Sequence, residues 1–284
     1  MDLLWLPFSL ATLMFYGLGQ VFAKETRTDV PSSNLLLILG LNMLVIWSAY
    51  WFVFREPGSF GTGAWLQAIA GAALSGLAYV TYYESLKHGK VSVVGTIAGA
   101  YAPWTVVLAL IFLGEQMSLG EGAGVVLVVL SMLIFTYPNG NNGGTKTERL
   151  GVAFAICSLF LWGTSAAVAK GAIDEIGNTN FIGVYALVVP AIWLVYWIVT
   201  AKAKLSMPES NKWILQLSMV FLAAGGITYY TAIQNGPVSI VSPITNLYPI
   251  VTIAAAKMRL KEMLSTRQMI ALAMLFASVP LFSF

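Results

Sequence analysis

Long apolar runs punctuated by isolated charges set the pattern of this chain. Uncharged stretches cover residues 3–23, 30–54, 57–83, 91–114, 122–145, 150–169, 176–201, 213–256 and 268–284. A helix needs roughly 20 apolar residues to cross about 30 Å of hydrocarbon at 1.5 Å per residue. Eight of the nine stretches have that length, and the ninth, between Lys212 and Lys257, has 44 residues and predicts two crossings. It is parted at Gln234-Asn235-Gly236-Pro237, where Pro removes a backbone donor and Gly favours a turn. The pattern predicts ten membrane-spanning helices and an all-α polytopic fold. The alternation of barrel strands is absent. The last helix reaches sufficient length by starting near Ser265, with Arg267 snorkelling to the headgroups. The first, beginning by residue 3 without a basic n-region or cleavage site, reads as a retained span.

Composition agrees with this pattern. Of 284 residues, 58% are hydrophobic and 10% charged, which excludes an ordinary soluble globule and a disordered chain. Cys157 is the only cysteine, so there is no disulfide framework. A net charge of +3, scattered singly, gives no footprint for nucleic acid.

The chain repeats itself. Residues 81–101 match residues 228–248 at an offset of 147, with nine of the 21 positions identical, including Thr81-Tyr82-Tyr83, Gly89, Ser92 and Tyr101. Tyr16-Gly17 and Ala23-Lys24 match Trp162-Gly163 and Ala169-Lys170 at an offset of 146, implying one extra residue between. Shared apolar composition explains aligned Leu and Val but not Tyr-Tyr, Gly and Ser at one spacing, so the chain reads as a duplication. A Gly/Asn-rich seam from Tyr137 to Lys146 separates the copies, giving repeats at 1–137 and 150–284 and a linker at 138–149. Five crossings per copy is an odd number. The second copy therefore enters from the opposite side, and the halves are expected to be inverted repeats about a pseudo-two-fold axis in the membrane plane.

Thirteen of the 15 Lys and Arg fall in alternate loops on one side, leaving only Arg55 and Lys170 on the other. Positive charge favours the cytoplasmic side, which would put both termini outside. Ionisable residues deep in the bilayer are costly and functional, and here they are missing. The deepest candidate is Glu84, one turn from the end of helix 3, where Lys87 and His88 can pair with it; an interfacial pair is expected in preference to a proton relay. Lys24 and Lys170, at equivalent helix ends, read as snorkelling residues. His88 is the sole histidine, without a Cys or second His nearby, so no metal site and no cofactor are expected. Paired membrane-depth acids, HExxH and a Ser with a His base are likewise absent, so no enzymatic activity is expected.

The interior offers aromatic and neutral polar groups instead. The candidate substrate-binding residues are Tyr16 and Gln20 of helix 1, Tyr79, Tyr82 and Tyr83 of helix 3, and Tyr101 of helix 4. The second copy adds Trp162 and Ser165 of helix 6, Tyr229 and Tyr230 of helix 8, and Asn246 and Tyr248 of helix 9. Asn246 stands near the middle of its span, where an amide must face protein, water or a ligand. Pro103, Pro243 and Pro249 permit breaks in helices 4 and 9, and broken helices at corresponding positions of two repeats point to a transporter's central site. Tyr and Trp near span ends equally suit interfacial belts. Gly71, Gly76, Gly95 and Gly99 read more as helix-packing residues than as ligand contacts.

These segments resemble the drug/metabolite transporter superfamily, specifically its ten-span EamA-type carriers. The resemblance rests on the aromatic-Gly…Ala-Lys segments of helices 1 and 6, and on Gly89 to Ile97, Tyr101-Ala102-Pro103 and Leu113-Gly114-Glu115. In the second copy it continues through Gly236 to Ile244, Tyr248-Pro249 and Leu260-Lys261-Glu262, where Lys261 replaces the Gly of the first copy. The resemblance implies an inverted five-plus-five bundle. A cavity would lie between helices 1–4 and 6–9, helices 5 and 10 would be peripheral, and both termini would be cytoplasmic, against the charge count. It also implies alternating access for small metabolites. Helix 1 lacks the acid of small multidrug members, and the mid-membrane Lys or Arg of sugar-phosphate carriers is missing.

The function expected from these features is secondary transport of a small neutral or zwitterionic metabolite such as an amino acid. Its setting would be the plasma (inner) membrane, where the chain would act as a monomer or homodimer among membrane lipid, with no nucleic-acid partner. The alternatives are a membrane receptor or scaffold that binds a small ligand without moving it, a channel, and a carrier of lipid-linked substrates.

Overall fold

The computed structural model describes residues 3–26, 30–55, 57, 60–89, 91–136, 146–201, 212–248, 251–252, 255, 266–278 and 281. In lipid every backbone N–H and C=O must be satisfied within its own segment, so apolar runs of this length fold as helices. Among the described residues there is no strand. The helices are α1 (Trp5–Thr26), α2 (Ser32–Phe54), α3 (Thr62–His88), α4 (Val91–Gly99), α5 (Ala102–Phe112), α6 (Leu119–Thr136), α7 (Lys146–Ala201), α8 (Lys212–Asn235), α9 (Val238–Thr245) and α10 (Thr266–Ser278). Tyr137, residues 138–145 of the expected linker, Pro249 and the Leu260-Lys261-Glu262 segment lie outside the described residues, as does the Lys24 side chain.

Five helices are each long and apolar enough to cross a membrane: Trp5–Ala23, Ser32–Phe54, Thr62–His88, Thr147–Thr200 and Lys212–Asn235. Helix length thus counts fewer crossings than the sequence pattern: α6, α9 and α10 are shorter than a crossing over the residues counted, and two further differences have visible reasons. The stretch 91–114 is split into α4 and α5 at Ala100-Tyr101, and α7 folds back on itself. Gly177 interrupts α7 with φ 78° and ψ 154°, a region open to glycine and strained for other residues. Either side of it, the two legs run antiparallel and clasp α3 between them. A Cβ added at Gly71 of α3 would meet both Ala169 and Phe181, and Ser158 and Trp193 donate to the carbonyls of Ala78 and Gly76 at 2.9 and 3.0 Å. The tetrapeptide expected to part helices 8 and 9 does so: α8 ends at Asn235 and α9 starts after Pro237.

Contacts between the copies come in exchanged pairs. Trp197 Nε1 donates to Asn34 Oδ1 at 2.6 Å, and Trp51 Nε1 donates to Asn180 Oδ1 at 3.2 Å; 51 and 34 become 197 and 180 when moved by 146. Trp47 donates to the Ala223 carbonyl at 2.9 Å, and Trp193 to its counterpart, the Gly76 carbonyl. Ser218 donates to Gly19 and Ser165 to Gly71, at 2.7 and 2.8 Å. Thr252 reaches the Gly17 carbonyl and Thr105 the Gly163 carbonyl, at 3.2 and 3.3 Å. Residue i meeting j′ while j meets i′ is the mark of an isologous, two-fold contact. Each buried donor left without its acceptor would cost about 1–3 kcal/mol, so this set specifies how the copies dock.

The surface is the inverse of a soluble protein's. Phe52, Phe112 and Val199 are 70, 75 and 73% exposed, while Trp47 and Trp193 are 1 and 0% exposed. Lipid solvates such side chains, and water does not. At the end of α3, Lys87 Nζ lies 2.7 Å from Glu84 Oε1 and 2.9 Å from the Tyr196 hydroxyl, with His88 Nε2 4.0 Å from Glu84 Oε2. The expected helix-end pair is therefore joined by a tyrosine from α7. Lys170 meets Asp174 at 2.6 Å.

The aromatic-Gly pair of each opening helix has a packing reason. A Cβ at Gly163 would stand 2.7 Å from Trp104 Cδ1 and 3.0 Å from the Tyr101 carbonyl, and one at Gly17 would strike Val251. Each glycine lets the broken helix of the other copy lie against the opening helix. Gly163→Ala should lower stability by about 1–3 kcal/mol through this overlap. Gly63→Ala, where a Cβ meets nothing within 4 Å, should leave it unchanged or slightly raised. Thermal unfolding of both variants in detergent checks the pair; equal melting temperatures would contradict the packing argument.

Candidate functional site

The breaks in α4–α5 and after α9 bring the site together. α4 ends at Gly99, and the chain turns through Ala100-Tyr101 before Pro103 starts α5 within its first turn. α9 contains Pro243, ends at Thr245, and turns through Asn246-Leu247. Neither Pro donates a backbone hydrogen bond, so both sites tolerate the interruption. Between the breaks lies a cavity with about 120 Å³ free to a water-sized sphere. For scale, an apolar cavity of about 150 Å³ accommodates a benzene molecule.

The cavity collects the sequence candidates from distant parts of the chain. Tyr16 and Gln20 enter from α1, and Tyr79, Tyr82 and Tyr83 from α3. Tyr101 comes from the first break, Trp162 and Ser165 from the first leg of α7, Tyr229 and Tyr230 from α8, and Asn246 and Tyr248 from the second break. Sequence reading missed Leu39, Met43 and Trp47 of α2, Ser75 of α3, Tyr185 of the second leg of α7, and Leu222 of α8, which also line it. Leu39, Met43 and Trp47 are spaced by four residues on one helix face, which an apolar run conceals. The repeat held an unused signal, because Trp47 and Trp193 match at the same offset of 146 as the opening helices. Described parts of α6 and α10 lie off the cavity, packed together through a 2.6 Å bond from Ser131 to the Ala271 carbonyl.

Most lining groups are held by neighbours. Trp162 is ringed by Tyr79, Tyr82 and Tyr101 at centroid distances of 5.0, 5.3 and 5.9 Å. The exchanged pair Tyr16–Tyr248 meets at 5.9 Å. Edge-on and tilted ring pairs of this kind contribute about 0.5–1.5 kcal/mol beyond burial, so the walls are stiff. Tyr185 shares a hydrogen bond with Ser75, and Tyr229 with Ser242, each at 2.8 Å. Ser165 spends its proton on the Gly71 carbonyl, which makes it first a bond between repeats. Asn246 differs. It is 2% exposed, the Tyr101 phenol is its polar neighbour, and its Nδ2 makes no hydrogen bond of good geometry among the described residues.

No Asp, Glu, Lys, Arg or His lines the cavity among the described residues. Its donors and acceptors are hydroxyls and carboxamides on aromatic walls. This set can hydrogen-bond an organic solute without demanding a net charge, while the rings cover an apolar part.

Glu115 acts from outside the cavity. Gly114, at φ 66°, turns the chain after α5 so that the Glu115 carboxylate faces the start of α9. It accepts from the backbone N–H of Val238 at 2.8 Å and of Ser239 at 2.9 Å. These are orphan donors of a helix N-terminus, where a carboxylate is favoured. The Leu-Gly-Glu segment of the first copy is thus a clamp on the short helix that leads to Asn246 and Tyr248.

A profile described as the EamA-like transporter family matches this chain twice, over residues 3–137 and 149–284. An uncharacterized transporter of Archaeoglobus fulgidus is 24% identical over 189 residues, covering 66% of this chain and 64% of that protein's length. An uncharacterized protein of Methanocaldococcus jannaschii is 33% identical over 133 residues, which are 46% of this chain and 94% of that protein. That relative is therefore about the length of one repeat. A protein crystal structure aligns over 97% of this chain and 95% of its own, with a TM-score of 0.82 at 14% identity, and shows the shared fold.

Replacing Glu115 by Ala should destabilise the protein by about 1–3 kcal/mol, by removing two charge-assisted bonds from a half-buried helix start. Glu115→Gln, which keeps one acceptor, should fall between. Differential scanning fluorimetry of the two variants reads the order, and an unchanged midpoint in both would remove the clamp.

Proposed function

From the premise that this chain belongs to the EamA-like transporter family, we propose that it is a secondary carrier for a small neutral or zwitterionic metabolite such as an amino acid. It is a multi-pass membrane transporter of two repeats. Each repeat would cross the membrane five times, the second inverted, for ten crossings in the plasma membrane. The cavity would be the substrate site, exposed alternately to each side as the repeats rock about the two-fold contacts.

The observation that carries this reading is the uncharged, aromatic cavity held between two broken helices, one from each repeat. A site at the junction of two repeats is bounded by elements that must separate if the repeats tilt, which gives access from alternate sides with one set of contacts. The size of the cavity limits the cargo to a small solute or to the small head of a larger one. With a neutral lining, a net charge on the cargo would pay a desolvation cost that an internally balanced zwitterion reduces.

Counterflow tests the proposal. Liposomes holding the purified chain and preloaded with unlabelled L-leucine, L-phenylalanine or L-alanine should accumulate the matching radiolabelled amino acid transiently, saturably, and only when preloaded. Sealed vesicles with folded protein and no exchange of any neutral amino acid would sink the amino-acid reading. Saturable binding without flux would establish a receptor, and conductance far above carrier turnover a channel. Glu84→Gln should retain exchange and cost at most about 1 kcal/mol of stability, because its partners lie at a half-exposed helix end. Loss of exchange with normal folding would instead put Glu84 in the transport cycle.

A further inference from the structure

Positions related by the repeat offset are a built-in comparison of the two halves of the cavity. Moving the first copy by 147 sets Gly95 on Ser242 and Gly99 on Asn246, and moving the opening helix by 146 sets Gln20 on Ala166. The second-copy break thus presents a carboxamide where α4 presents Gly99, and opposite Gly95 it has a serine that is buried against Tyr229.

Those glycines are not packing residues. A Cβ at Gly71 or Gly76 would crowd a neighbour, standing 3.3 Å from Ala169 N or 3.0 Å from Ile192 Cδ1. Among the described residues, a Cβ at Gly95 would meet only the Tyr82 hydroxyl, at 3.8 Å, and one at Gly99 would meet nothing within 4 Å. Both line the cavity, together with Tyr82, Tyr101 and Trp162. They leave a slot beside aromatic rings, which is a place for an apolar group. The Asn246 Nδ2 donor is buried beside the Tyr101 phenol without a hydrogen bond of good geometry among the described residues, and a buried donor calls for a well-placed acceptor oxygen.

Identical half-sites would bind a solute equally well in two orientations related by the two-fold. The divergence removes one of them. We infer that the cavity holds its solute in a single orientation: a carboxylate or carbonyl oxygen accepts from Asn246 Nδ2, and the apolar side chain fills the slot over Gly95 and Gly99. Gly99 then sets the largest side chain the site admits. The lining holds no Lys or Arg among the described residues, so a carboxylate bound here carries its own balancing ammonium. This inference rests on the carrier reading above and specifies its substrate class as a zwitterion with an apolar side chain.

Two variants and one analogue test it, by equilibrium dialysis of the detergent-purified full chain against radiolabelled L-alanine, L-leucine and L-phenylalanine. Gly99→Ala adds a methyl group to open space, so the fold should hold, and Gly95→Ala probes the same slot from one turn away. Each should weaken L-leucine and L-phenylalanine roughly 5- to 100-fold, while L-alanine changes less than about two-fold. Asn246→Leu should weaken all three alike, by roughly ten-fold, as expected for loss of one buried hydrogen bond. Isoamylamine, which has the leucine side chain and no acceptor oxygen, should fail to compete with L-leucine. Equal effects of Gly99→Ala on all three amino acids, or competition by isoamylamine as strong as by unlabelled leucine, would overturn the oriented site. Binding with these preferences but no counterflow would overturn the carrier reading alone. Counterflow with a side-chain profile untouched by both glycine variants would overturn the orientation alone, and no binding of any probe would overturn both.

Discussion

Side-chain donors that reach across to the main-chain carbonyls of the other repeat hold this molecule together. Among the described residues the ion pairs lie within one repeat, and lipid offers no hydrophobic drive between helices already solvated by tails. Specificity of docking falls to short-range hydrogen bonds whose loss would leave a buried polar group unmatched. The tryptophans at 47 and 193 and the serines at 165 and 218 each close on a carbonyl of α1, α3 or α8. Each of these four bonds has its exchanged twin, so the two halves meet through the same contacts read in both directions.

The functional region follows from that arrangement. Helices that cross close together need small residues where they touch, which Gly17 and Gly163 supply. The broken helices they admit bring ends of chain, with Tyr101, Asn246 and Tyr248, to the middle of the bundle. An unbroken helix would present a smooth wall there. The clamp from Glu115 anchors one of these short helices at its far end, so the turn carrying Asn246 is fixed from two directions. A neutral cavity on stiff aromatic walls is the outcome, suited to shape and hydrogen bonding more than to charge.

Legibility of the site in the sequence tracked polarity. Tyr16, Gln20, Trp162 and Asn246 stand out because a polar or amphipathic group in an apolar run needs a reason, and each lines the cavity. Leu39, Met43 and Trp47 do so too, yet nothing distinguishes a cavity-facing leucine from a lipid-facing one in a helix that is apolar all round. Ser165 illustrates the opposite case: its hydroxyl marks it as a binding group, and the fold gives its proton to Gly71. Of the four glycines that read alike along the chain, Gly71 and Gly76 pack helices, and Gly95 and Gly99 open space.

The amino-acid sequence by itself determined the class, the repetition and the neutrality of the interior. Those properties are written in run length, in self-similarity and in the placement of charges, all of which are local or additive along the chain. Only the tertiary structure decided the hairpin at Gly177, the exchanged contacts, and which glycine faces a neighbour and which faces a void. The exchanged contacts join residues 58 to 235 positions apart at ångström distances, and a helix's own sequence carries no record of what stands opposite it.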